Sequence, residues 1–361
     1  GPAAELEDGM SASDSFRIPD AWIPPPPTDQ DLWRGLAPHS EARPLPWKLE
    51  IRVDLLQLYA MGAIEVWVRA LPATPGNPAP ERDSWRLPVG AEALADTPEG
   101  FLHYRLPRGA NEIQPFAHHG LWLSPQTDLA ALDAAWLAVP EPEDGNWLPP
   151  AWTLEVFHPA HVAVLGPAAW LQAPTVEGLG GLTRIGAVPA GLCWPAFVSG
   201  RFQKRQVQGQ TWHLRLDAKA IVADDAADTL RKFVALRDAW LLPRSPRTAW
   251  TLATFPGVGD RALPGFFVLD ESRDWFARPT DARLGDFGRR VWLARLAAAA
   301  HFGMSLHGSG NAAPVLENAL AEYAAARLLE AAGFEDDADE LRAFWDSAEK
   351  SAGPLPMPLA L

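Results

Sequence analysis

Cysteine is almost missing from this chain of 361 residues; Cys193 is the only one. A single thiol excludes an internal disulfide framework and any cysteine-rich metal site. Set in Leu192-Cys193-Trp194-Pro195, it reads as a buried apolar thiol rather than a nucleophile. Tyrosine is scarce as well: Tyr59, Tyr104 and Tyr323 stand against 17 tryptophans, which restricts where a phenol could assist chemistry. No uninterrupted apolar run reaches the roughly 18–20 residues that span a bilayer, and no cationic segment followed by an apolar one opens the chain. Positive charge is in deficit, with a formal net charge of −14 and no contiguous cluster of Lys and Arg. Phosphate backbones are bound by such clusters, so a nucleic-acid partner is not expected.

The chain is long enough for about two or three domains. Residues 1–45 lack periodicity and contain Pro24-Pro25-Pro26-Pro27, which favours an extended polyproline conformation. They read as an arm lying on a domain surface, with a docking peptide for a proline-recognising groove as the sharper alternative. The opening Gly1-Pro2 is compatible with a cloning junction, and the chain with a piece of a larger protein. Its compartment is left open, an extracytoplasmic fragment being one reading.

From residue 46 to 217 short strands follow one another. W-K-L-E-I-R-V-D-L from Trp47 alternates with the period of two of a half-buried strand, and A-I-E-V-W-V-R-A-L from Ala63 repeats it. F-L-H-Y-R-L, W-T-L-E-V-F, H-V-A-V-L and W-H-L-R-L are similar, which predicts a saddle or sandwich of antiparallel sheets. From 218 to 350 the pattern changes. Asp224–Trp240 has Leu230, Phe233 and Val234 at helical spacing behind an acidic first turn. T-A-W-T-L-A-T-F and P-G-F-F-V-L-D read as strands. Helices are expected over Asp286–His301, ending at Gly303, over Val315–Ala332, ending at Gly333, and from Asp336 to about Lys350. Residues 351–361 form a tail. The fold class is thus α+β with a largely helical C-terminal part.

The segment from Arg295 to Tyr323 reads R-L-A-A-A-A-H-F-G, then a connection, then V-L-E-N-A-L-A-E-Y. It resembles the active site of the aminopeptidase N family of gluzincin zinc peptidases with every metal ligand replaced. In that family one helix carries H-E-x-x-H and ends at an aromatic and Gly, and a second carries N-E-G-x-A-E-Y. With Gly303 on that Gly and Ala321-Glu322-Tyr323 on that A-E-Y, the two His positions fall on Arg295 and Ala299. The third ligand falls on Asn318 and the general-base Glu on Leu296. Zinc needs imidazole, thiolate or carboxylate donors, which a methyl group and a guanidinium do not offer. The resemblance implies a β-saddle domain at 46–217 and a thermolysin-like domain at 218–350.

Other parts of the family's site are replaced too. Its G-x-M-E-N strand falls near Leu263-Pro264-Gly265-Phe266-Phe267, without the Glu that grips a peptide amino terminus, and no tyrosine follows Tyr323. The resemblance therefore implies a pseudoenzyme with no cofactor that binds or scaffolds a protein or peptide partner. The alternatives are a hydrolase with a relocated metal site and an extracytoplasmic domain of a larger membrane assembly. Arg295, Glu317, Glu322 and Tyr323 are the candidate cleft-lining or structural set, with Arg295 pairing Glu322 or Glu317 in place of zinc.

His301 and His307 are the alternative metal pair, disfavoured because they straddle Gly303. His158 and His161, three apart in an expected strand, should point to opposite faces, and His118 and His119 should splay apart if extended. Ser305, Ser309 and Asp270-Glu271 show no spacing that assigns them a role.

Overall fold

The computed structural model describes residues 43–111, 113–141, 147–167, 175–177, 180–218, 223–241, 250–273, 282–302 and 313–352. The polyproline run, Gly303, Ser305, His307, Ser309 and the end of the tail lie outside the described residues. The chain is mixed α+β, with strands in several sheets, none closed as a barrel, and five described helices. The helices are α1 (Leu56–Met61), α2 (Ala223–Leu241), α3 (Ala282–Ala299), α4 (Ala313–Ala331) and α5 (Glu335–Ala352). No described helix is long and apolar enough to cross a membrane.

A seven-stranded sheet runs in the order Thr175–Glu177, Gly180–Val188, Ala151–Pro159, Trp47–Asp54, Ile64–Pro72, Leu102–Leu106, Glu92–Ala93. Its central strands alternate as their sequences predict: Leu49, Ile51 and Val53 are buried while Lys48, Glu50 and Arg52 face outward. The expectation of purely antiparallel sheets is corrected, because Ala151–Pro159 lies parallel to Trp47–Asp54, with Leu154 opposite Ile51. Two strands about a hundred residues apart pair through backbone hydrogen bonds, and alternation within either one says nothing of direction.

Beneath it lies a four-stranded sheet of Ala163–Leu165, Phe197–Gly200, Leu129–Ala131 and Leu121–Leu123. The last three were not legible as strands: Phe197–Gly200 and Leu129–Ala131 are buried on both faces and so have no polar alternation, and Leu121–Leu123 is too short to show a period. Leu129, Ala131 and Phe197 pack toward the seven-stranded sheet, while Ala130 and Val198 pack toward a third sheet on the other side.

That third sheet has the order Phe202–Val207, Gln210–Arg215, Thr251–Phe255, Phe266–Asp270, Arg261–Leu263. Gln210–Arg215, Thr251–Phe255 and Phe266–Asp270 are parallel neighbours, and α2 is the crossover between the first two. Here too the strands are buried throughout: Ala253, Phe255, Phe266 and Val268 face the middle sheet, and Leu252, Phe267 and Leu269 face the helices. The strands over 202–215 precede residue 217, yet Trp212 and Leu214 share the core of α2, α3 and α4.

Leu230, Phe233 and Val234 bury the inner face of α2, and Asp224 and Asp225 occupy its first turn, where the helix dipole favours negative charge. Gly333 (φ 82°) ends α4: its N–H donates to the Glu330 carbonyl and that of Phe334 to the Leu329 carbonyl, the six-to-one pattern that only a left-handed residue permits. The chain then turns directly into α5, whose Asp337 pairs with Arg290 of α3.

Candidate functional site

The candidate residues Arg295, Leu296, Ala299, Glu317, Asn318, Glu322 and Tyr323 come from α3 and α4, and packing sorts them. Leu293, Ala294, Leu296, Ala297 and Ala298 are buried against the third sheet, so Leu296 is part of the apolar core. Ala299 is partly buried on the same core. Arg295 emerges on the flank of α3 toward α4. Its Nη2 donates to Glu322 Oε2 at 3.0 Å, and its Nε lies 2.5 Å from Glu322 Oε1. Only the Nη2 contact has hydrogen-bond geometry; the Nε–H is near the carboxylate without pointing at it.

Glu322 also accepts from the indole N–H of Trp345 on α5, at 3.2 Å. One carboxylate on α4 therefore holds a guanidinium from α3 and an indole from α5. Asn318 and Tyr323 are exposed, and Glu317 is half-buried. Of the expected set, Arg295 and Glu322 are brought together, while Asn318 faces solvent a turn away.

Arg295, Ala299 and Asn318 thus present a guanidinium, a methyl group and an exposed carboxamide. A dication beside Arg295 would meet a permanent positive charge. Among the described residues no group of three or more His, Cys, Asp or Glu is placed to hold a metal ion. His301, the described member of the alternative pair, is buried beyond the end of α3 and sits edge-on to Phe302 at 4.9 Å. Burial, with Arg237 nearby, lowers its pKa to about 4, so the ring is neutral at pH 7 and its Nδ1 has no partner.

Beside Arg295 a groove of about 500 Å³ opens between α3 and α5, lined by Val291, Trp292, Leu341 and Phe344 with Arg295 and Glu340. Trp292 and Phe344 are exposed there, at 37% and 61%. Arg273 stacks over Trp292 at 4.4 Å and Arg295 lies 5.6 Å from the same ring, so two cations hold the indole in place.

His158 and His119 are buried. His158 is buried in its strand, with Nε2 2.9 Å from Thr183 Oγ1 and Nδ1 2.9 Å from the Pro159 carbonyl; His161 lies beyond the strand, in the turn. His118 and His119 do not splay. They occupy a single 3₁₀ turn, Ala117–His119, which brings their rings to 3.8 Å, and both nitrogens of the buried His119 lack partners. Cys193 is buried as its setting implies, and burial pushes the thiol up to about 12.

Asp270 and Glu271, given no role by their spacing, belong to a buried polar centre. Asp270 accepts from the N–H groups of Gly257 and Gly259, shaping the tight loop between two strands. Glu271 meets Arg215, which also reaches Asp128 and Gln126 in the turn between two strands of the middle sheet. Adjacent acids carry no sequence signal for this, because their partners lie far along the chain. Against models of known protein families the chain finds no match, and a search of curated proteins finds no significant relative.

Proposed function

We propose that this chain is a catalytically inactive, aminopeptidase-like protein that acts as a binding or scaffolding module for a protein or peptide partner. On this reading the three sheets form a β-saddle followed by the strand layer of a thermolysin-like domain, and α3 and α4 are the former ligand helices. The observation that carries the proposal is the Arg295–Glu322 pair. It puts a cation at the first ligand position and uses up the carboxylate that would support a metal from behind. The groove with Trp292 and Phe344 beside it offers apolar surface to a peptide side chain.

Metal analysis tests the reading. Purified wild-type protein dialysed against a weak chelator is expected to retain far less than one zinc per chain, and stoichiometric zinc would overturn the proposal. The register is tested by Arg295→His, Ala299→His and Asn318→Glu combined. This variant is expected to bind one zinc, and a correctly folded variant that binds none removes the peptidase scaffold from the argument.

A further inference from the structure

The outward face of the seven-stranded sheet carries a feature unrelated to the α3–α4 pair. Lys48, Glu50 and Arg52 alternate with core residues and project to the same side. Cross-strand register sets Glu50 opposite Arg69 and Thr153, and Arg52 opposite Glu155, which in turn faces Arg184. Together they surround a cleft of about 400 Å³.

Gly186 lines the cleft, packed closely against Thr153 of the neighbouring strand. Its φ is 138°, beside a register shift in the adjoining strand, and a Cβ there would lie 2.8 Å from Thr153 Cγ2 and 2.9 Å from Thr153 Cα. Backbone conformation and contact both reserve the position for glycine.

Charge in the cleft is unbalanced. Four cations, Lys48, Arg52, Arg69 and Arg184, line the cleft with two carboxylates, Glu50 and Glu155, while the Glu99 carboxylate outside the lining lies near enough to Arg52 and Arg69 to interact with both. Arg69 Nε donates to Glu50 Oε2 at 2.6 Å, while Arg184 (3.1 Å) and Arg52 (3.4 Å) share Glu155. Lys48 has no carboxylate partner among the described residues.

Like charges left in solvent would splay apart. Here the guanidinium groups of Arg52 and Arg69 each lie 4.5 Å from the ring centroid of Phe101, which is 2% exposed, so one fixed aromatic holds both. Donors are thus preorganised on a rigid sheet with part of their charge unmet, which lowers the cost of ordering them around a ligand. We infer that this cleft binds a small dianion, of the phosphate-monoester or dicarboxylate class, which offsets the excess of cations in its lining. Guanidinium forks from Arg52 and Arg184 and the ammonium of Lys48 supply the hydrogen bonds.

Calorimetric titration of the full chain at low ionic strength, with inorganic phosphate in one arm and succinate in the other, tests this. Saturable binding in at least one arm is expected, weakening with added salt. Phosphate alone, or succinate alone, would identify the class, and both together the shared dianion chemistry. Lys48→Ala combined with Arg184→Gln is expected to weaken binding by about tenfold or more, since both contribute charge-assisted hydrogen bonds. Lys204→Ala, on the third sheet, is expected to leave it unchanged. No saturable binding of either anion in the millimolar range, or equal binding by the folded double variant, overturns the inference.

Discussion

Arg215 and Glu271 meet almost out of contact with water: Nε stands 2.5 Å from Oε1, with the residues 5% and 7% exposed. Arg215 also holds Asp128 Oδ2 at 3.2 Å and Gln126 Oε1 at 2.8 Å, so one guanidinium joins the third sheet to the middle sheet. Burial raises the pKa of both Asp128 and Glu271, and Arg215 opposes that rise. Arg215→Met leaves two buried carboxylates without their cation, which is expected to cost about 3–5 kcal/mol in urea unfolding. The gap to wild type should narrow as pH falls, because carboxylates with raised folded pKa values contribute stability when protonated. A loss that stays constant down to pH 4 would argue against uncompensated charge as its cause.

The Arg295–Glu322 pair is half-exposed, with side chains at 28% and 33%, so its net contribution is small. A double-mutant cycle with Arg295→Met and Glu322→Gln is expected to give a coupling of about 0.5–1 kcal/mol, reduced by added salt. Trp345→Phe, which deletes the second donor to Glu322, should lower that coupling rather than raise it if the three helices share one carboxylate.

Tyr104 spends both roles of its hydroxyl inside the core. It donates to the Trp136 carbonyl at 3.0 Å and accepts from the Ala138 N–H at 2.9 Å, and burial pushes its pKa far above the usual phenol range. Tyr104→Phe fills nearly the same volume and leaves that N–H without a partner. Thermal and urea unfolding should report a loss of about 1–3 kcal/mol.

Three buried histidines set an acid limit on stability. His119, His213 and His301 each have a pKa lowered to about 4, chiefly by burial. The unfolded chain takes up protons at about 6.5 that the folded chain refuses, so their contribution is complete above pH 6.5 and is lost as pH falls toward 4. Ring proton shifts should show all three neutral at pH 5.5. His301→Phe, which removes one of them, should flatten the fall in unfolding free energy between pH 6.5 and 4; an unchanged slope would show that His301 does not contribute to it.

The alternation in Trp47–Asp54, Ile64–Pro72 and Ala151–Pro159, and the helical spacing of Leu230, Phe233 and Val234, placed these elements to within a few residues. One-sided burial writes a period into the chain, and that period is local. The helix expected over Val315–Ala332 runs over Ala313–Ala331, and its end at Gly333 was legible because glycine acts on the backbone where it stands. The pairing of Arg295 with Glu322 or Glu317 was suggested by the family resemblance, and the structure pairs Arg295 with Glu322.

The sequence by itself thus determined the α+β class, the strands with a regular apolar alternation, and four of the five described helices. The tertiary structure alone decided the parallel pairing of Ala151–Pro159 with Trp47–Asp54 and the doubly buried middle sheet. It also brought Arg215 together with Asp128 and Glu271, and opened the hollow over Gly186 on the outer sheet. Each of these rests on contacts between residues distant in the chain, whose free energy comes from shared burial and unscreened charge. No local pattern of residues encodes which distant segment supplies the other half.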